Sequence, residues 1–104
     1  MSVVRRVGPT EALTLMQTQG HVYLDVRTVS EFEAGHPAGA YNVPLVHEDG
    51  LENAAFSSAC ERTFDKSRGL VVGCQAGHRS LRAAAMLLDA GHTNVVDQDR
   101  KSVV

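Results

Sequence analysis

One stretch in the second half of the sequence limits the fold more than any other. Three apolar residues, Leu70 to Val72, are followed by Cys74 and its loop, and then by residues 80–88, whose apolar positions recur at helical spacing. The apolar run predicts a short buried strand, and the periodic segment predicts a helix. Cys74 would then lie at the carboxyl end of a strand, where open α/β sheets bind ligands. The stretch therefore predicts an α/β fold with a site at the cysteine.

The loop after Cys74 has the composition of an anion-binding turn. The backbone N–H groups of such a loop and of the first helical turn have no partner within the helix, so they can converge on one negative group. Gly77 permits a positive φ angle, and Arg79 adds a permanent cation. These features predict that Cys74 ionises more readily than a free thiol and is a reactive thiolate.

The remaining chain alternates between strand patterns and helix patterns. Strands are predicted over residues 3–7, 21–26, 40–43, 70–72 and 94–96. Helices are predicted from Pro9 or Thr10 to Gly20, from Ser30 to near Gly35, over 51–64 and over 80–88. This alternation predicts one domain, residues 1–104, built as an α/β sandwich around a mainly parallel sheet.

Two of the predicted helices carry more specific expectations. Ser30 and Glu33 have the spacing of a capping box, which would start a helix at Ser30. In the helix after the cysteine loop, one apolar stripe is expected to face the sheet and comprises Leu81, Ala84, Ala85 and Leu88. Residues 97–101 are a charged segment without a core pattern.

Composition and charge exclude several classes of function. The ten Lys and Arg residues are scattered and the net charge is -2, so no surface for nucleic acid is expected. The longest apolar run, 83–88, is about a third of the roughly 20 residues that span a membrane. Residues 1–7 lack the apolar core of a secretory signal. We therefore expect a cytoplasmic location, or the lumen of a plastid or another organelle after processing.

The two cysteines do not form a disulfide framework and lack a Cys-x-x-Cys spacing. Cys60 is expected to be an inert thiol on a helix, because a resolving role would require its sulfur to approach that of Cys74. His21, His47 and His92 have no metal-ligand spacing and are expected to face solvent. No metal site is predicted.

Several short motifs occur in a specific order along the chain. They are Asp25-Val26-Arg27, Glu31-Phe32, Gly35-His36, Gly39-Ala40, Asn42-Val43-Pro44 and the loop Gly73 to Ser80 with its Cys-x-x-Gly-x-Arg-Ser pattern. In this order, and over most of the chain, they resemble the single-domain rhodanese-like thiosulfate sulfurtransferases, particularly the small plant and bacterial ones. The resemblance implies a rhodanese-like three-layer sandwich and an enzyme without a metal or an organic cofactor.

The resemblance also implies a role for each site residue. Cys74 would take the sulfane sulfur of thiosulfate or a similar donor, release sulfite and hold a persulfide that a thiol or cyanide removes. The substrate-binding residues would be Gln75, Ala76, Gly77, His78 and Arg79, with loop amides stabilising the sulfur and Arg79 pairing with the anionic donor. Apart from the resemblance, Asp25, Arg27 and Glu31 lie at the end of a predicted strand and the start of a predicted helix and are expected to form salt bridges that hold the fold. His36, beside Pro37, is expected to make a structural hydrogen bond in a tight turn.

Two other functions stay open at this point. A phosphatase or an arsenate reductase would also use a cysteine and an arginine around an oxyanion. Related cysteine phosphatases place five residues between the two, whereas four separate Cys74 from Arg79. The other alternative is a non-catalytic rhodanese-like binding or regulatory module, and such modules frequently lack the cysteine.

The end of the chain departs from the family pattern. Rhodanese-like domains usually follow the last strand with a Gly-Gly turn and a final helix carrying a tryptophan, whereas residues 97–104 have neither and the chain has no Trp. The final helix is therefore expected to be missing or replaced. Either the fold does without that cover, or a partner, such as the second copy in a homodimer, covers the apolar face.

Overall fold

A parallel sheet forms the centre of the computed structural model, which describes residues 3–99. Its five strands within that range are β1 (Arg5–Val7), β2 (Val22–Asp25), β3 (Tyr41–Asn42), β4 (Leu70–Gly73) and β5 (Val95–Gln98). The helices of the same range are α1 (Pro9–Gln19), α2 (Val29–Ala34), α3 (Phe56–Thr63) and α4 (His78–Asp89). The strand order is β1-β5-β4-β2-β3, with every pair parallel. The predicted mainly parallel α/β fold is confirmed.

The sheet is covered on both faces because its buried strand residues point alternately to opposite sides. One core cluster joins β2, β4 and β5 to α3 and α4, and includes Leu24, Val72, Phe56 and Leu87. The other cluster packs α1 onto the opposite face, and includes Ala12, Leu15, Tyr23, Val71 and Val96. The fold is therefore a three-layer sandwich.

Strand register brings the ends of three strands together, two of which carry an aspartate. Gly73, the last residue of β4, is paired with Asp25 of β2, and Val72 is paired with Asp97 of β5. Because the strands are parallel, their carboxyl ends lie at one edge of the sheet. Cys74 leaves the sheet between these two aspartates.

The predicted capping box is wrong by two residues. Thr28 caps α2: its hydroxyl accepts from the Glu31 backbone N–H at 3.3 Å, and the Glu31 carboxylate accepts from the Thr28 N–H at 3.1 Å. Ser30 instead donates its N–H and its hydroxyl to Glu48 at 3.0 and 2.7 Å. The Glu48 carboxylate comes from a distant loop, which the Ser30 and Glu33 spacing could not reveal.

The stripe predicted for α4 is displaced by one residue. The helix begins at His78, and its buried residues are Ser80, Ala83, Ala84 and Leu87. Leu81 is 36% exposed, and of the predicted stripe only Ala84 is fully buried. The spacing is helical in both stripes, and the observed stripe includes Ser80, whose hydroxyl lies 3.3 Å from the Cys74 sulfur.

The helix predicted over 51–64 begins later than expected, at Phe56. Asn53 holds the preceding residues in a turn, because its side chain accepts from the Ala55 N–H and donates to the Pro44 carbonyl. Leu51 is left exposed in this turn. Local side-chain hydrogen bonding of this kind competes with the helix.

Two further expectations about polar residues are wrong. Asp97 is completely buried in β5 instead of lying in a charged segment, and the rest of that segment beyond Asp99 is outside the described residues. His21 and His92 are buried instead of facing solvent, and only His47 of the three is exposed. The His21 ring occupies the space that the missing side chain of Gly69 leaves.

The segment expected to replace the final helix also lies mainly outside residues 3–99, so its replacement and the homodimer stay predictions. Within that range, no helix is long and apolar enough to cross a membrane.

Candidate active site

Two backbone N–H groups converge on the sulfur of Cys74. The Sγ atom accepts from the Gly77 N–H at 3.0 Å and from the Ser80 N–H at 3.3 Å. The Ser80 hydroxyl lies 3.3 Å from the same sulfur. Cys74 itself is 1% exposed, so its sulfur is shielded from solvent. These donors are arranged to stabilise a negative sulfur held at the start of α4.

The loop reaches this geometry because of Gly77. This residue caps α4 with a φ of 90°, in the left-handed region that favours glycine. Its N–H points back at Cys74, and its carbonyl accepts from Arg6 Nη2 at 3.4 Å. Arg6 thereby ties the cysteine loop to β1, a contact across 71 positions of the chain that local sequence patterns could not reveal.

Among the described contacts, the other loop residues make no hydrogen bond to the Cys74 sulfur. Gln75 and Ala76 are exposed, and His78 is exposed at the first position of α4. Ser80 was not among the expected binding residues, although it ends the Cys-x-x-Gly-x-Arg-Ser pattern. The serine at the end of this pattern could have identified Ser80 as a site residue.

Arg79 is held by α2. Its Nη1 and Nη2 atoms donate to the two carboxylate oxygens of Glu31 at 2.8 and 3.1 Å. Hydrogen bonding by Arg79, assisted by Thr28 and opposed by burial, lowers the pKa of Glu31 from 4.5 to about 2. The Glu31 carboxylate raises the pKa of Arg79, and nearby Cys74 adds a smaller effect in the same direction. The bidentate pair therefore fixes the cysteine loop against α2.

A second arginine clamp holds the end of β2. Arg27 Nη2 donates to the Asp25 carboxylate and to the Gly35 carbonyl, both at 2.7 Å. The hydrogen bond with Asp25 raises the pKa of Arg27. Asn42 adds support from β3, since its side chain donates to the backbone carbonyls of Asp25 and Arg27 at 3.0 Å.

His36 follows the end of α2 and packs back on that helix. Its Nδ1 atom is 2.7 Å from the Phe32 carbonyl oxygen, and its ring stacks on the Phe32 ring with centroids 3.6 Å apart. Cys60 is a fully buried residue of α3, and burial raises its pKa to about 11. No group of three or more His, Cys, Asp or Glu within residues 3–99 could hold a metal ion.

Comparison with known proteins decides the family. The rhodanese-like domain family matches residues 8–99. The chain belongs to the rhodanese-like family. The family resemblance predicted from the ordered motifs is thereby confirmed.

Relatives of this rhodanese-like domain include named sulfurtransferases. It is 46% identical over 81 residues to Thiosulfate sulfurtransferase 16, chloroplastic, of Arabidopsis thaliana. The aligned residues cover 75% of this chain and 68% of that relative. It is 26% identical to the human single-domain sulfurtransferase TSTD1, with a TM-score of 0.70 over 92% of this chain and 89% of that one. The chain spans about half the length of other curated relatives that it matches.

The fold extends to more distant solved structures. Rv0390 from M. tuberculosis is 22% identical and has a TM-score of 0.78, covering 95% of this chain and 80% of that structure. At this identity the likeness concerns the fold alone.

Proposed function

We propose that this rhodanese-like domain is a sulfurtransferase that carries a sulfane sulfur on Cys74. The observation that supports the proposal most strongly is the convergence of the Gly77 and Ser80 amides on the Cys74 sulfur. Preorganised N–H donors stabilise negative charge that develops on a reacting atom. In this reaction the charge is carried by sulfur both before and after the transfer.

The reaction has two displacement steps. The Cys74 thiolate attacks the outer sulfur of thiosulfate, a new S–S bond forms, and the original S–S bond breaks to release sulfite. The resulting persulfide is anionic at its terminal sulfur. A thiol or cyanide then attacks that sulfur and regenerates the Cys74 thiolate, which is covalent catalysis with ping-pong kinetics. Neither step requires a metal or an organic cofactor.

Access to Cys74 requires the outer part of the loop to give way, because 1% of the residue is exposed. Gln75 and Ala76 are the exposed residues of this loop. Arg79 is proposed to meet the sulfonate of the donor, since its guanidinium has N–H groups beyond the two bonded to Glu31. His78 is exposed on the same turn and is proposed to steer the donor or the acceptor.

The partners in this proposal are a small sulfur donor and a thiol or cyanide acceptor. A plastid location is supported by the relative named Thiosulfate sulfurtransferase 16, chloroplastic. A phosphatase, an arsenate reductase and a non-catalytic module are outcomes that the experiment below distinguishes from sulfur transfer.

Mass spectrometry after treatment with thiosulfate tests the proposal. We expect a gain of one sulfur, about 32 Da, confined to the peptide that contains Cys74, and its disappearance after cyanide with formation of thiocyanate. Cys74→Ser should abolish the gain and keep the far-ultraviolet circular dichroism spectrum. Cys60→Ser is the matched control and should retain most of the activity, because Cys60 is buried in the core.

Two results would contradict sulfur transfer. No mass gain together with turnover of a phosphate ester or of arsenate would favour the alternative enzymes. No mass gain and no turnover of any of these substrates would favour a binding module.

A further inference from the structure

One arginine of β1 reaches from the edge of the sheet to the cysteine loop. Arg6 is paired in register with Asp97 of β5. The next residue on β1, Val7, and the preceding residue on β5, Val96, both pack with α1 on one face. Since neighbouring residues of a strand point to opposite faces, the side chains of Arg6 and Asp97 lie together on the face of α4.

Two carboxylates fix the guanidinium of Arg6. Asp97 is completely buried, and its Oδ2 atom accepts from Arg6 Nε at 2.8 Å. Asp99 adds a second carboxylate, 3.8 Å from Arg6 Nη2. A buried carboxylate requires an opposite charge beside it, and the planar guanidinium, once bound at Nε, has its other N–H groups in fixed directions.

The far end of the same guanidinium holds Gly77. Arg6 Nη2 donates to the Gly77 carbonyl at 3.4 Å. A Cβ atom on Gly77 would lie 3.0 Å from this nitrogen, so the arginine and the loop are in close contact. The residue held in this way is the one whose N–H donates to Cys74 Sγ at 3.0 Å.

The Gly77 amide needs an external anchor because glycine does not fix its own backbone. Gly77 has φ 90° and ψ -5°, and glycine adopts positive and negative φ angles about equally readily. When the carbonyl is held by Arg6, rotation at Gly77 is restricted and its N–H keeps pointing at the sulfur. The second donor to the sulfur, the Ser80 amide, lies within α4 and does not depend on this anchor.

We infer that Arg6, held by Asp97, is a positioning residue that keeps the Gly77 amide aimed at the Cys74 sulfur. Its effect on sulfur transfer rests on the proposed function. Donors stabilise the charge of a reacting atom most when they are aimed at it before the reaction begins. No described hydrogen bond joins Arg6 to the sulfur, so Arg6 acts through Gly77.

Amide hydrogen exchange, measured by NMR without substrate, tests the positioning itself. Arg6→Met removes the anchor and also leaves the Asp97 charge without this partner, so it lowers stability. Arg6→Met/Asp97→Leu removes both partners and should regain most of that stability without restoring the anchor. In both variants we expect the Gly77 amide to exchange about tenfold faster, while the Ser80 amide stays within about twofold of the wild type.

Persulfide formation from thiosulfate in a single turnover tests the consequence for the reaction. In Arg6→Met/Asp97→Leu we expect the maximal rate to fall about tenfold and the half-saturating thiosulfate concentration to change less than about twofold. Arg5→Met is the matched control on the same strand, because the exposed Arg5 side chain pairs with Glu11 at the surface. It should keep the wild-type values in both measurements.

Several results would overturn the inference. If the double variant regains the wild-type exchange and the wild-type rate, Arg6 serves only to compensate the charge of Asp97. Equal acceleration of the Gly77 and Ser80 amides would show a general loss of structure at the start of α4. A slower reaction with unchanged Gly77 exchange, or faster exchange with an unchanged reaction, would also contradict it.

Two further outcomes separate the remaining explanations. A raised half-saturating concentration at an unchanged maximal rate would mean that Arg6 binds the donor, which would overturn the positioning role. If the wild type takes up no sulfur while Gly77 exchange still depends on Arg6, the proposed function alone is wrong and the anchor is confirmed.

Discussion

The ion pair between α2 and the cysteine loop gives a quantitative prediction about acid stability. Glu31→Gln keeps the size of the side chain and removes the charge that receives both Arg79 hydrogen bonds. We expect the variant to unfold more easily than the wild type at neutral pH, because an arginine pairs more strongly with a carboxylate than with an amide.

The magnitude follows from the pKa of Glu31, which falls from 4.5 to about 2 in the folded protein. A pKa that is lower by about 2.5 in the folded protein corresponds to at most roughly 3 kcal/mol of folding free energy. The Glu31 and Arg79 side chains are 29% and 26% exposed, so solvent screening reduces the expected effect to about 1–2 kcal/mol. Because the folded pKa is the lower one, this stabilisation is present above pH 4.5 and is lost as the pH falls toward about 2.

Urea unfolding at several pH values measures the effect. We expect the difference in unfolding free energy between the wild type and Glu31→Gln to be about 1–2 kcal/mol at about pH 6 and to shrink steadily below pH 4.5. Glu33→Gln, at an exposed position of the same helix, is the control and should show no such loss. A wild-type advantage that stays constant through the acid range, or that Glu33→Gln reproduces, would refute the reasoning.

Three further predictions concern the core and the strand beneath the site. Gly73→Ala should lower the free energy of unfolding, measured in urea, by about 1–3 kcal/mol, because its Cβ would lie 1.8 Å from the Tyr23 hydroxyl oxygen. Combining it with Tyr23→Ala should relieve part of that clash. Phe56→Ala should cost about 3–5 kcal/mol, since this 0% exposed ring fills the core under α3; an effect below about 1 kcal/mol would contradict that. Cys60 should resist iodoacetamide at about pH 8 until urea unfolds the chain, as peptide mass spectrometry can show, because burial raises its pKa to about 11.

The predicted elements that proved correct depend on local pattern. The apolar run before Cys74 is β4, the alternating residues before Asp25 form β2, and the glycines at the ends of α1 and of the cysteine loop have positive φ angles. Each of these follows from a few consecutive residues, since side-chain alternation and the steric freedom of glycine are properties of neighbouring positions.

The predictions from sequence were wrong where a residue from another part of the chain makes the contact. Ser30 was predicted to cap a helix, but the carboxylate of Glu48 engages its hydroxyl instead. The stripe of α4 was displaced because Ser80 turns toward Cys74 and the sheet, which the spacing of Leu81 and its companions could not reveal. In both cases a helix was correctly predicted, and the competing contact came from outside that helix.

The sequence by itself determined the family, the reactive cysteine loop as a candidate and the order of strands and helices, because these depend on motifs and on short-range periodicity. Only the tertiary structure decided the partners of the charged residues. Arg79 meets Glu31 across 48 positions of the chain, and Arg6 meets Asp97 across 91. Such pairs depend on strand register and helix placement, so the burial of Asp97 beside Arg6 becomes visible only after β1 and β5 have paired.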